Sequence, residues 1–551
     1  MSGRTTALAR GIAVALLGAV HLTGVAATND ELLRARELTD RREFGPALAI
    51  FDRLHATAPQ DSDLAIERAR VLAYSDRNAE AAAAYADVAA RHPQRRADVL
   101  LSWAWQVLWS GRPEAAEPLF REAVASTPAA ASPRLGLAQA LLWSGRELEA
   151  VAEFDRVLAI EPGLRDAMSG RALALNYSGR SLAAARAYSE LVPAADAGLQ
   201  LQAARAYYWA GFPDRAEPLL AATTLPEAQH LRDFRIRRET TQYFASGYAD
   251  YSNDADDLDV VSIAATGGWR IASHGTLEGS LRRTTLEGPD TSVWPSGRHR
   301  VEADQALVTW SNRLGTPESP RGVLWPMLAV GGRDVDGWTT VAWKGRLRYA
   351  FDDTWTFSAY AGNGVPETIG AARNEIDYTE TSLGVEARPA PRWRASGHLT
   401  RIAYAGGNDR NQLSGNVEYL AVPRRQLRLG ADVLHFTDDE PSGPDQPNLG
   451  YWNPDHYSEA RLYASIGGER GAWSWDARAS AGWMRERDGW GTTTSDPTFA
   501  ASGAVAYDFS PQLQLRAYAG GSRSGAGIGS GGSGYYRTYA GISLTGYFGG
   551  P

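Results

Sequence analysis

Trp473-Ser-Trp-Asp-Ala-Arg-Ala-Ser-Ala-Gly-Trp483 alternates without a break. Trp473, Trp475, Ala477, Ala479, Ala481 and Trp483 occupy the odd positions, while Ser474, Asp476, Arg478 and Ser480 occupy the even ones. Side chains along a strand point alternately to opposite faces, so this stretch reads as a strand with one apolar and one polar side. The same pattern sets Trp355, Phe357, Ala359 and Ala361 against Thr356, Ser358 and Tyr360, and Leu513, Leu515, Ala517 and Ala519 against Gln512, Gln514, Arg516 and Tyr518. A soluble β-sandwich also alternates. Tryptophans at the ends of an otherwise Ala/Leu/Val face favour instead a wall with lipid outside, water inside and aromatic girdles at the two interfaces.

Working outward, sixteen such segments begin near 240, 258, 274, 299, 322, 338, 354, 375, 392, 411, 425, 455, 472, 497, 511 and 534. Bacterial barrels have even strand counts. Short turns follow the even strands, and longer loops over 286–297, 362–373, 438–453, 487–496 and 522–533 follow several odd ones. The reading is a sixteen-stranded antiparallel transmembrane barrel over 236–551, with both ends on the short-turn, periplasmic side. Its polar faces place Lys344, Arg346, Arg348, Glu380, Glu386, Glu418, Arg428, Asp432, Arg461, Asp476, Arg478, Arg516 and Arg537 toward the lumen. These charges are mixed in sign, so they either meet a cargo or brace the wall as cross-strand pairs such as Asp432 with Arg428 and Asp476 with Arg478.

Before residue 236 the period changes. Ala-x3-aromatic pairs recur at Ala47/Phe51, Ala81/Tyr85, Ala116/Phe120, Ala150/Phe154 and Ala184/Tyr188, spaced 34, 35, 34 and 34 residues, with a weaker copy at Ala216/Leu220. Pro59, Pro93, Pro128 and Pro162 close the first four units in phase. A second motif precedes each pair: Tyr74-Ser-Asp-Arg77, Trp109-Ser-Gly-Arg112, Trp143-Ser-Gly-Arg146, Tyr177-Ser-Gly-Arg180 and Trp209-Ala-Gly-Phe212. Each unit reads as two helices joined by a small-residue turn and stopped by proline; a lone hairpin cannot bury its apolar face, so the units must stack. Tyr74, Trp109, Trp143, Tyr177 and Trp209 recur once per repeat. They form either a ladder that stacks on sugars or grips a partner, or packing between repeats.

The remaining features bound the function. Met1–Ala27 has a basic start (Arg4, Arg10), an apolar run over Gly11–Val20 and small residues Val25-Ala26-Ala27, which reads as a secretory signal. No later run reaches the ~18 apolar residues of a membrane-spanning helix. The 551 residues include no cysteine, which excludes disulfides, thiolate metal sites and a thiol nucleophile. A net charge of −8 argues against nucleic acid as a partner. Lys344 is the sole lysine among 56 basic residues. Gly527-Ile-Gly-Ser-Gly-Gly532 matches a dinucleotide pattern but lies between strands rather than in a βαβ unit, and Asp254–Asp259 lacks the spacing of a calcium loop. No zincin or nucleophile-elbow motif occurs, so neither an enzyme nor a cofactor is expected.

The phased repeats resemble the tetratricopeptide repeat. A signal over 1–27, a repeat array over 28–235 and a sixteen-stranded barrel over 236–551 together resemble the exopolysaccharide export porins: the poly-N-acetylglucosamine porin family and, more distantly, the cellulose-export outer-membrane subunit. The resemblance implies an outer-membrane location with the repeats in the periplasm, and lipid and an exopolysaccharide chain as partners. It also implies polysaccharide-modifying or synthase-complex proteins bound through the repeats. The alternative is a repeat scaffold or surface receptor anchored by a barrel that transports nothing.

Overall fold

The computed structural model describes residues 29–550, apart from 195, 222, 272–273, 294–296, 445–447, 449 and 524–530. The expected signal over 1–27 and most of the Gly527–Gly532 motif lie outside the described residues. The chain forms two compact units, one ending at Ala174 and the other running from Leu175 to Pro551.

Helices come first. They are α1 (29–40), α2 (Phe44–Thr57), α3 (Ser62–Tyr74), α4 (Asn78–Arg91), α5 (Arg96–Trp109), α6 (Pro113–Ser126), α7 (Ala131–Trp143), α8 (Glu147–Ile160), α9 (Arg165–Tyr177), α10 (Ser181–Ser189), α11 (Ala197–Trp209), α12 (Pro213–Leu220), α13 (Pro226–Leu231) and α14 (Arg237–Thr240). The Ala–aromatic pairs are the core of the repeats: Ala116, Phe120, Ala150 and Phe154 are all fully buried. A glycine on the next helix receives each of two rings. A Cβ on Gly136 would stand 2.0 Å from Phe120, and one on Gly170 would stand 2.4 Å from Phe154. The helices approach as closely as they do only because those side chains are missing.

The Ser-Gly-Arg turn is a helix stop. Gly111, Gly145, Gly179 and Gly211 all have φ between +72° and +85°, and Asp76 takes the left-handed conformation in the first copy. In one copy the Arg112 N–H donates to Val107 O (3.3 Å) and the Gly111 N–H to Leu108 O (3.0 Å), the paired bonds of a Schellman cap.

The strands are β1 (Tyr243–Asp254), β2 (Asp259–Ile271), β3 (Gly275–Pro289), β4 (Arg298–Ser311), β5 (Val323–Val335), β6 (Trp338–Ala350), β7 (Trp355–Gly364), β8 (Tyr378–Ala390), β9 (Trp393–Tyr404), β10 (Asp409–Val422), β11 (Leu427–Asp438), β12 (His456–Arg470), β13 (Trp473–Arg487), β14 (Thr493–Ser510), β15 (Leu513–Arg523) and β16 (Arg537–Phe548). They close one barrel in chain order, antiparallel throughout, with β1 pairing β16 from Tyr243↔Phe548 to Asp254↔Arg537. No helix among the described residues is long and apolar enough to cross a membrane. The outer face is exposed Leu, Val, Ile and aromatic side chains. Tyr243, Trp269, Trp310, Trp355, Trp393, Trp473 and Phe548 ring the turn-side end, and Tyr251, Trp483 and Phe499 form a sparser ring nearer the loops. A hollow of about 930 Å³ opens on this outer wall among Ile263, Ala265, Leu281, Ala306 and Val341, and is mostly apolar.

Two expectations shift. The change from helix to strand falls between Thr240 and Tyr243 rather than at 235/236. The compact units divide elsewhere, because the last helices pack with the barrel. Asp353, in the β6–β7 turn, accepts from the N–H groups of Leu182 (2.7 Å) and Ala183 (2.8 Å) and so caps α10, whose own N-cap side chain makes no such bond. Burial pushes the Asp353 carboxyl up even so. Arg313 donates to Gly211 O (2.7 Å), pairs with Asp214 (2.8 Å) and lies 4.1 Å from the Phe212 ring centre. Arg238, buried, pairs with Asp508 (2.8 Å). The loops expected to be longer follow β3, β7, β11, β13 and β15, while β1–β2, β5–β6 and β9–β10 are joined by only a few residues.

Candidate functional site

The barrel register carries a single set of side chains to its interior. Arg346 stands opposite Tyr360, then Ser382, Thr400, Gln412, Phe436, Tyr457 and Glu486 around half the wall. The same parity places Lys344, Arg348, Glu380, Glu386, Glu418, Arg428, Asp432, Arg461, Asp476, Arg478, Arg516 and Arg537 on the inner face. Inner tyrosines Tyr360, Tyr463, Tyr518 and Tyr539 stand among them.

These charges fall into two groups. Along β8 to β15 they brace the wall. Glu386 is held by Arg388 (3.0 Å) and Arg394 (3.5 Å), Glu418 by Arg428 (3.1 Å), Asp476 by Arg516 (3.5 Å) and Glu459 by Arg461 (3.7 Å). Asp432 pairs with Arg478, whose guanidinium lies 3.5 Å from the Tyr463 ring centre. Asp432 and Asp476 do not form the pairs with Arg428 and Arg478 expected from sequence; their partners, Arg478 and Arg516, stand two strands away. On β6 the arrangement is different. Lys344 and Arg346 have no ion-pair partner among the described residues, and Arg348 lies over the Trp325 ring at 4.7 Å.

The loop-side end of the lumen carries a lid that sequence reasoning missed. The β7–β8 connection folds inward as a short helix, α15 (Ile369–Arg373). Ile369 and Ala372 pack on Leu258, Val260, Leu286, Val301 and Val335. The β11–β12 connection folds in beside it: Tyr451 stacks on Tyr404 with ring centres 4.3 Å apart, and Trp452 packs edge-on against Phe436. The two loops touch through glycines, since a Cβ on Gly370 would lie 2.6 Å from Gly450 Cα. Thr368 donates to Gly450 O, and Asn448 donates to Thr291 O (2.9 Å), bringing in the β3–β4 loop. A buried pair, Arg410 with Asp438 (2.9 Å), anchors the rim beneath. The only sequence signal was apolar Ile369, Ala371 and Ala372 inside a supposed surface loop. At the neighbouring Asp254–Asp259 run, Arg298 pairs with Asp257 (2.5 Å) and Asp259 (2.7 Å), so a guanidinium occupies the acidic cluster.

In the repeats, Tyr74, Trp109, Trp143, Tyr177 and Trp209 are each the last residue of their helix and each between 51% and 57% exposed. None of the five is a fully buried core residue. The helix stop directly after each ring turns the chain away and leaves the ring outside the core. Trp109 stacks on Trp105 at 5.2 Å, and Trp105 in turn packs edge-on against buried Phe120, which stiffens the exposed ring.

A tetratricopeptide repeat family model matches residues 108–173. No curated protein sequence matches the chain. Among solved structures, a bacterial polysaccharide outer membrane secretin is similar at 13% identity and a TM-score of 0.42, over 56% of this chain and 99% of that one. A tetratricopeptide repeat protein from Parabacteroides merdae is similar at 15% identity and 0.34, over 38% and 85% of the two chains. PilW, a type IV pilus biogenesis factor, is similar at 19% identity and 0.32, over 35% and 91%.

Proposed function

We propose that this protein is an outer-membrane porin that exports an exopolysaccharide, poly-N-acetylglucosamine or a polymer of similar backbone. The observation that carries the reading is the division of the barrel wall: apolar and aromatic outside, charged and tyrosine-rich inside. Such a wall is stable in lipid only with a hydrated interior. Conduction of a long chain needs many weak contacts rather than one tight site, and the inner tyrosines and charges provide them. The exposed rings that end successive helices suit stacking on sugar rings, so in this reading the repeats, in the periplasm, guide polymer or its modifying proteins toward the pore. No step of the reading needs a catalyst or a cofactor.

One observation favours a second reading. The interlocked lid narrows the lumen, as a barrel-anchored scaffold or receptor would require. Planar-bilayer recording separates the two. The export reading predicts stepwise conductance from the full chain, increased in Gly370→Val, which pushes the lid loops apart. Silence from both proteins would overturn export and leave the scaffold.

A further inference from the structure

Beneath the lid lies a cavity of about 660 Å³ inside the barrel. Arg282, Arg333, Lys344 and Arg537 line it, against a single lining carboxylate, Glu367 of the lid loop. Glu367 is shared, 3.2 Å from Arg537 and 3.7 Å from Arg282. Arg282 Nε and Arg333 Nη1 are buried donors with no hydrogen-bond partner. A buried donor left unpaired is unfavourable, so this cluster is short of acceptors. Asp250 on β1, Glu278 on β3 and Glu380 on β8 face the same lumen without lining the cavity; with Glu367 they are four carboxylates against the six bases Arg282, Arg333, Lys344, Arg346, Arg348 and Arg537.

The surplus continues away from the lid. Lys344, Arg346 and Arg348 sit at alternate positions of β6, about 7 Å apart along the strand, all pointing inward. On the β10–β15 wall, by contrast, Glu418, Asp432, Glu459 and Asp476 each already have an arginine. Among the described residues, the bases Lys344, Arg346 and Arg348 have no carboxylate bonded to them, and they form a file that leads into the acceptor-poor cavity.

We propose that the polymer carried through this lumen is an acidic glycan, with carboxylate or similar anionic groups along its backbone that step between the β6 cations and the cavity arginines. This rests on the export reading and replaces its poly-N-acetylglucosamine-type cargo with an anionic one. Glu367 is the internal anion that the chain displaces from Arg282 and Arg537.

The test is planar-bilayer recording with the full chain, probed with oligouronates and with chito-oligosaccharides and cello-oligosaccharides of equal length. The expected results are a reversal potential under a potassium chloride gradient that reports anion preference, and current block by oligouronate that weakens as salt is raised. Half-block should require about tenfold less oligouronate than neutral or amino-sugar oligomer. Lys344→Gln/Arg346→Gln/Arg348→Gln should raise the half-blocking oligouronate concentration about tenfold, which is about 1.4 kcal/mol shared among three solvated contacts. Arg346→Gln alone should shift it in the same direction by less. Cation preference, or stronger block by chito-oligosaccharide, would overturn the acidic cargo while leaving export standing. A complete lack of conductance in wild type and Gly370→Val would instead overturn export itself.

Discussion

Phe154 and Trp143 are both large aromatic residues of the repeats, and their burial separates their roles. Phe154 is fully buried against Gly170, so Phe154→Ala leaves a cavity; a loss of about 3–5 kcal/mol in chemical denaturation is expected. Trp143 is half exposed at a helix end, so Trp143→Ala together with Trp109→Ala should change stability by only about 0.5 kcal/mol per site. The same double variant should weaken glycan binding to the repeats in calorimetry. A large fall in melting temperature would contradict the exposed placement. Arg146 gives a pH-dependent test. Its guanidinium bonds to Glu149 and to Glu117. The bond from Arg146 holds the Glu149 carboxyl below its ordinary value of 4.5. At Glu117 burial works in the opposite direction, and the arginines still draw it down. A carboxylate depressed by folding contributes stability above its unfolded value and loses it as pH falls through the folded one. The stability gap between wild type and Arg146→Gln should therefore be open at neutral pH and close as pH is taken below 4.5.

At the scale of elements, two joints are open to direct test. Asp353→Ala removes the side-chain cap that the β6–β7 turn gives α10, and a loss of about 1 kcal/mol localised to faster amide exchange at Leu182 and Ala183 is expected. Gly370→Val should drive α15 off Gly450 and raise conductance without unfolding the barrel, as read by retained heat-stable mobility on gels. The strands themselves were legible because each turns an apolar side out of the barrel and a polar side into it, so alternation is imposed on every one of them. The repeats were legible because stacking copies one set of contacts every 34 residues or so. Neither joint was. The cap of α10 comes from a turn 171 positions later, and the lid depends on two glycines 80 residues apart in different loops. No local periodicity records a contact of that kind. Inner-face membership followed from alternation, yet the partners of Asp432 and Asp476 depend on register and arginine reach, which composition does not encode.

For the whole molecule, the boundary between helices and strands is not the boundary between compact units. The final helices are fastened to the barrel's turn side by Asp353, Arg313 and Arg238, so they form part of the barrel unit. In the export account that unit is the fixed mouth of the pore. The free positive charge on β6, set against a braced opposite wall, then gives the lumen a sign that the net charge of −8 conceals. The most direct test of export is the amount of polysaccharide at the cell surface when the gene is deleted in its host and then restored. The account predicts that surface polymer is lost on deletion and returns with the wild-type chain. Unchanged secretion in the deletion strain would contradict it.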